Sequence, residues 1–159
     1  PLAEWRLQLV VPARHPCTEL PDLTLEALAA YPCCSFERSA RTRQIIDEAF
    51  ELAGVKSPIA FSLDSTPSIL DYVQSGLAFG FVVEGSFQPA RYPDLLVLDV
   101  HHLFRPLTTG IVLPRKVRIT YGLRNFVSTL APNLIIGWDN GLTISTCYQP
   151  TASRSQSGN

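Results

Sequence analysis

Residues 59–83, IAFSLDSTPSILDYVQSGLAFGFVV, decide the fold of this chain. Ile59-Ala60-Phe61-Ser62-Leu63 alternates as a half-buried strand does, and Ala78 to Val83 is a short apolar run of the buried-strand kind. Between them the spacing predicts a helix. Ser65 or Thr66 accepts from the free amides of its first turn, and Pro67 occupies the first helical position, where no amide is needed. Gly76 supplies the left-handed residue that ends it. Strand, helix and strand in succession make a βαβ unit, and such a unit requires a parallel sheet. The loop Asp64–Ser68 then lies at the carboxyl end of a parallel strand and the positive end of a helix, where open α/β sheets bind ligands.

The pattern continues on both sides. Upstream, Arg6–Val11 (RLQLVV) reads as a strand, and Thr24 caps a short helix over Leu25–Ala30 that Pro32 terminates. Cys33–Phe36 reads as a strand. Arg41–Ala53 is an amphipathic helix with Ile45, Ile46, Ala49, Phe50 and Ala53 on one face and Gly54 as its stop. Downstream, Leu95–Val100 alternates as a strand, His101–Arg105 forms a crossover, and Thr108–Leu113 is one more strand. A last helix is expected over Val117–Leu130, with Leu123, Phe126, Val127 and Leu130 facing inward and Pro132 beyond its end. Past Leu134 the pattern changes: Leu134–Ile136 and Leu142–Ser145 are strand-like, and Thr151–Asn159 is polar, Ser-rich and expected to be disordered.

Composition sets outer bounds. A chain of 159 residues that is 46% hydrophobic can bury a core of ordinary domain size. Charged residues make up 17% and nearly balance at a net charge of −1, which leaves no electrostatic footprint for nucleic acid or an anionic membrane. No apolar run reaches the roughly 20 residues that span a bilayer. The chain opens on Pro1 and contains no methionine, and is read as a piece of a longer protein. Of the four cysteines, none forms a CxxC pair, which argues against a zinc ribbon or a dithiol redox motif. Cys33 and Cys34 are adjacent on a strand, so their side chains point to opposite faces. Buried, reduced thiols suit a cytoplasmic protein.

The order strand, short helix, strand, helix, strand, helix, strand resembles the effector-binding domain of LysR-type transcriptional regulators, most nearly the cysteine-biosynthesis regulators of that family. Four segments carry the resemblance: LVVPARHP (Leu9–Pro16), LTLEALAAYP (Leu23–Pro32), LDYVQSGLAFGFVV (Leu70–Val83), and LDVHHLF followed by TTGIVLPR (Leu98–Arg115) with a helix ending FVSTLAP. In the third, Ala78 stands where the family often has glycine, while Gly76 and Gly80 are retained. The resemblance implies an α/β, periplasmic-binding-protein-like fold of two Rossmann-like subdomains, the second complete and the first only partly present. Residues 5–98 correspond to effector-binding subdomain II, residues 99–134 to the C-terminal part of subdomain I, and residues 135–159 to a tail unlike the family. It further implies a homo-oligomeric regulator that meets DNA only through an N-terminal domain outside this chain, and no cofactor.

Two loops are the candidate ligand sites. Ser35–Arg43 follows a strand and opens a helix, where free amides and the helix dipole attract an anion. Its three arginines, Arg38, Arg41 and Arg43, oppose the usual first-turn preference for acidic residues. An anionic ligand, or a carboxylate such as Glu37, would resolve that conflict. A solvated charged cap is the plainer reading. By the family resemblance Ser39 and Thr42 are the hydroxyl positions of an anion contact, with Arg41 close to the same place and Ser35 leading into it. Ser65 and Thr66 form the second loop, for which simple helix capping is the plainer reading. Thr108 resembles one of a threonine pair on the family's return strand, and is otherwise an ordinary strand threonine. The implied ligand is a small anionic effector: sulfate, thiosulfate or an acetylserine-like molecule, held in the cleft between subdomains.

Other chemistry finds little support. His101 and His102 have no acidic or cysteine partner at metal-ligand spacing. No G-x-S-x-G elbow occurs, and Cys17 and His15 lie in a Pro-rich loop with no orienting acid. No catalytic or metal-binding residue is assigned. A stand-alone solute-binding protein would share the fold and pocket logic, and a small α/β enzyme ranks third.

Overall fold

In the computed structural model, which describes residues 2–112 and 120–130, the strands and helices alternate in this order. They are β1 (Ala3–Trp5), β2 (Leu7–Pro12), α1 (Leu25–Leu28), β3 (Cys33–Phe36), α2 (Arg41–Leu52), β4 (Ile59–Leu63), α3 (Thr66–Gln74), β5 (Phe79–Val83), β6 (Leu95–Asp99), β7 (Leu107–Thr109) and α4 (Tyr121–Leu130). Short 3-10 turns cover Pro16–Glu19 and His101–Leu103. The chain divides into two compact units, one running from Glu4 to Leu107 and the other made of the residues at both ends.

The Glu4–Leu107 unit is built on a five-stranded sheet in the order β4-β3-β5-β2-β6. β3 is parallel to both β4 and β5, whereas β2 is antiparallel to β5 and β6. The βαβ unit of residues 59–83 therefore closes across an intervening strand, β3, which it flanks on both sides. α2 carries the chain outward from β3 to β4, and α3 carries it back past β3 to β5. Right-handed crossovers in opposite directions put the two helices on opposite faces. Two separate cores record this. Ile45, Ile46 and Phe50 of α2 pack with Leu7, Leu9, Val11, Cys33, Phe79 and Phe81, while Ile69, Leu70 and Val73 of α3 pack with Val10, Cys34 and Val82. Neighbouring residues on β2, β3 and β5 thus feed alternate cores, as a pleated strand buried on both faces requires.

Glycines in the decisive stretch have different jobs. Gly76 adopts φ +76° just past α3, and its amide donates to the Val73 carbonyl at 3.0 Å. Gly80 lies on β5 directly beneath α3. A Cβ there would come 2.6 Å from Ile69 Cγ2, 3.0 Å from Val73 Cγ2 and 3.3 Å from Cys34 Sγ. Helix and strand approach this closely only because position 80 has no side chain, and a methyl group would overpack the interface by about 1–3 kcal/mol.

Several boundaries differ from expectation for identifiable reasons. Ser65 caps α3, its Oγ accepting from the Ser68 amide at 3.4 Å, so Thr66 is the first helical residue and Pro67 the second. The strand expected over Thr108–Leu113 is limited to Leu107–Thr109, because its partner β1 has only three residues. In that second unit the Leu2 amide donates to the Thr109 carbonyl at 2.6 Å, and Thr109 Oγ1 to the Ala3 carbonyl at 3.3 Å. α4 begins at Tyr121, where Thr120 Oγ1 accepts from the Leu123 amide at 3.3 Å. Of its four expected inward residues, Val127 is buried and Leu123 half-buried, but Phe126 and Leu130 are 58% and 53% exposed. Leu113, the helical start at Val117, Pro132, Cys147, the strand-like segments Leu134–Ile136 and Leu142–Ser145, and the Thr151–Asn159 tail lie outside the described residues.

Candidate functional site

Parallel neighbours end at the same edge of a sheet, so the loops leaving β3 and β4 are brought side by side. The Glu37 amide donates to the Leu63 carbonyl at 3.1 Å and joins them. Ser35, Ser39, Arg41, Thr42, Ser65 and Thr66 are thereby gathered at one end of the sheet in the Glu4–Leu107 unit. Thr108 belongs to the other unit, where it is exposed on β7.

The two helix starts are finished differently. At α3 the Ser65 hydroxyl is engaged twice, both times by Ser68. It caps the Ser68 amide and lies 2.8 Å from Ser68 Oγ, which in turn donates to Asp64 Oδ1 at 3.1 Å. At α2 the capping position is Ala40, whose methyl group accepts nothing, so no side chain caps the helix. The first-turn amides are left facing outward with the positive end of the dipole. Ser39 is exposed and Thr42 buried beside them. Alternation from Cys33 puts Ser35 on the α2 face of β3, fully buried, and its hydroxyl has no hydrogen-bond partner among the described residues.

The three arginines divide in function. Arg43 is buried at 6% exposure and holds the site together. Its Nε donates to both carboxylate oxygens of Asp47 at 2.9 Å, and its Nη1 to the Phe36 carbonyl at 3.2 Å and Ser62 Oγ at 3.1 Å. One guanidinium thus ties α2 to the ends of β3 and β4. The carboxylate that compensates it is Asp47, four residues on, rather than Glu37. Asp47 and Ser62 are not among the candidate residues named from the sequence, where Arg43 appears only as one of three charges opposing the helix start, although the i,i+4 spacing of Arg43 and Asp47 is a usable signal. Arg38 and Arg41 remain exposed, Arg41 Nη1 donating to Gln44 Oε1 at 3.1 Å. These two supply exposed positive charge at and just before the α2 start.

Groups that could suggest catalysis have structural employment. His15 Nδ1 accepts from the Cys17 amide at 3.2 Å, its ring edge packs on Tyr31 at 5.0 Å, and burial lowers its pKa. Burial raises the Cys17 thiol, so the pair is not set up as a base and a thiolate. His101 does have an acidic partner, contrary to the sequence reading: Asp99 Oδ1 accepts from its backbone amide at 2.9 Å and lies 2.6 Å from its Nδ1. That amide, then that ring, hold the Asp99 carboxyl below its usual pKa. His102 Nε2 lies 2.9 Å from the Leu23 carbonyl. Among the described residues no group of three or more His, Cys, Asp or Glu could hold a metal ion. None of the described helices is long and apolar enough to cross a membrane.

An open α/β sheet with an uncapped helix start, buried hydroxyls and exposed arginines at its carboxyl edge has the layout in which such sheets hold ligands. Residues 1–134 match the LysR substrate binding domain, and the chain belongs to that family as a LysR-type effector-binding domain. Among similar proteins are the HTH-type transcriptional regulators SsuR and CysB of Burkholderia cenocepacia. Each is 31% identical over 134 residues, or 84% of this chain and 44% and 43% of those proteins. The regulator Cbl of Escherichia coli is 35% identical over 115 residues, 72% of this chain and 36% of its own. The chain spans less than half the length of these relatives. The crystallised cofactor-binding domain of the Cbl regulator superposes with a TM-score of 0.70 at 29% identity, covering 84% of this chain and 59% of that one. The regulatory domain of CcmR from Synechocystis, solved with 2-PG, shares the fold alone, at a TM-score of 0.65 and 18% identity. The architecture is thus the periplasmic-binding-protein-like one of LysR effector domains.

Proposed function

We propose that this chain senses a small anionic effector, sulfate, thiosulfate or an acetylserine, for a LysR-type transcriptional regulator of sulfur assimilation or cysteine synthesis. The observation that carries the proposal is the start of α2: a twelve-residue helix with no side-chain cap, arginines in and before its first turn, and the orphaned buried hydroxyl of Ser35 at the end of the preceding strand. An oxyanion would accept from the first-turn amides and the Ser39 and Thr42 hydroxyls, with Arg41 supplying charge. Ser65 and Thr66 border the same edge. Thr108 is assigned to the effector on family resemblance alone. CysB, SsuR and Cbl among the relatives support the sulfur-linked reading.

In this reading residues 5–98 are subdomain II, and residues 99–134 return to complete subdomain I of a homo-oligomeric cytoplasmic regulator. DNA is contacted through the regulator's N-terminal domain. The effector acts by favouring one of two arrangements of the oligomer through its differential affinity for them. Calorimetry on the intact regulator with sulfate, thiosulfate, O-acetylserine and N-acetylserine tests the proposal. Binding of at least one is expected, weakened about tenfold or more in Thr42→Val or Arg41→Gln. Absence of binding by all four, or binding indifferent to both substitutions, overturns it.

A further inference from the structure

The other half of α2 borders a second cavity, separate from the loops at its start. It is an open depression of ≈ 350 Å³ bordered by Ala49 and Leu52 of the helix, Ala53 just past its end and Leu103 of the segment after β6, with Glu48 and Arg105 also lining it. That volume falls in the lower part of the range for small-molecule sites. Leu52 is 83% exposed, so apolar surface is left open to water beside the cavity. Glu48 and Arg105, both lining it, form an ion pair with each other, each side chain 48% exposed. Arg105 Nε donates to Glu48 Oε2 at 2.9 Å, and Nη2 donates to the same oxygen. Glu48 Oε1 and Arg105 Nη1 have no partner among the described residues, so each charge keeps a free valence.

We propose that this cavity binds a zwitterionic α-amino acid with an apolar side chain. Its carboxylate accepts from Arg105 Nη1, its ammonium donates to Glu48 Oε1, and its side chain covers Ala49, Leu52, Ala53 and Leu103. The charge pattern selects the class. A simple carboxylate meets Arg105 but brings a second negative charge against Glu48, and a simple amine meets Glu48 but repels Arg105. An uncharged apolar molecule desolvates the pair and offers it nothing in return. A neutral dipole of amino-acid size satisfies both groups without separating them. The site is independent of the anion site, since it shares with it none of the residues assigned there.

The test is titration of the 159-residue chain with L-leucine, followed by amide chemical shifts, with 4-methylpentanoate and 3-methylbutylamine as the analogues lacking one charge. Saturable shifts confined to residues around 45–53 and 103–105 are expected for leucine, with a dissociation constant on the order of 1 mM, and at least about tenfold weaker binding of either analogue. Arg105→Met and Glu48→Gln should each weaken leucine binding, the double charge exchange Glu48→Arg with Arg105→Glu should restore it, and Ala53→Phe should block it by filling the cavity. Ala53 is exposed at the end of α2, so that last variant is expected to fold, as its dispersed amide spectrum would show. No saturable shift with leucine overturns the site. Equal binding of 4-methylpentanoate overturns the zwitterion assignment, and leucine binding unchanged in Ala53→Phe overturns the placement.

Discussion

Arg43 and the two adjacent cysteines show how single residues acquire roles from burial. Arg43 brings a charge inside the fold, and Asp47, Phe36 and Ser62 take up its donors, so it serves as a clamp between α2 and two strands. Cys33 and Cys34 are both fully buried, one in each core. Burial raises Cys33 well above its ordinary pKa, and pushes Cys34 up to about 12. In the unfolded chain such thiols ionise near pH 8.5, so from there up to about pH 12 the unfolded state binds fewer protons than the native state at Cys34, and Cys33 acts in the same direction. Their contribution is therefore complete below about pH 8.5 and declines as pH rises, by about 1.4 kcal/mol per pH unit for Cys34 and in the same direction for Cys33. Urea midpoints at pH 8 and about pH 10.5 should show that loss, and Cys33→Ala with Cys34→Ala should flatten it. An alkaline loss as steep in the double variant as in the parent would assign it to other groups, of which Cys17 and Tyr92 shift in the same direction.

At the scale of elements, the contrast between α2 and α3 is the informative one. Both follow parallel strands at the same edge of the sheet, yet one is capped by Ser65 and the other begins on Ala40 with no cap. Leaving first-turn amides unsatisfied costs helix stability, and keeps them available to an anion. Replacing Ala40 with Asp should therefore do two opposite things. The carboxylate caps α2 and complements its dipole, raising stability by about 0.5–2 kcal/mol in urea unfolding. The same carboxylate occupies the amides, so calorimetric binding of the anionic effector proposed above should fall. A stabilised variant that still binds the anion as tightly would place the anion elsewhere.

Among the described residues, both hydrophobic clusters lie within the unit from Glu4 to Leu107. Every residue of both hydrophobic clusters falls between Leu7 and Leu107. The unit from Glu4 to Leu107 thus contains a complete sheet with both faces covered, which is what independent folding requires. A chain cut to residues 4–107 should keep its near-ultraviolet circular dichroism and a single cooperative urea transition. Loss of the near-ultraviolet signal with retained helix content would show that the remaining residues are needed to fix the packing.

Local chemistry was enough to determine much of this protein. Pro67, Gly76 and the alternation from Ile59 made residues 59–83 a βαβ unit, and that unit required a parallel sheet with a ligand edge. The pleat alone put Cys33 and Cys34 on opposite faces, and both observed cores agree. Only the tertiary structure decided matters that depend on contacts distant in sequence. Gly80 is needed because α3 crosses it, which no local preference at position 80 records. Arg43 left the set of loose charges because Ser62, nineteen residues away, and the Phe36 carbonyl meet it. Phe126 and Leu130 keep helical spacing but stay exposed, since periodicity tells which residues share a face and not whether anything packs against it. The loop of residues 59–83 proved to have its Ser65 hydroxyl taken up in capping, and the start of α2 beside it, which no side chain caps, is where we propose that an anion binds.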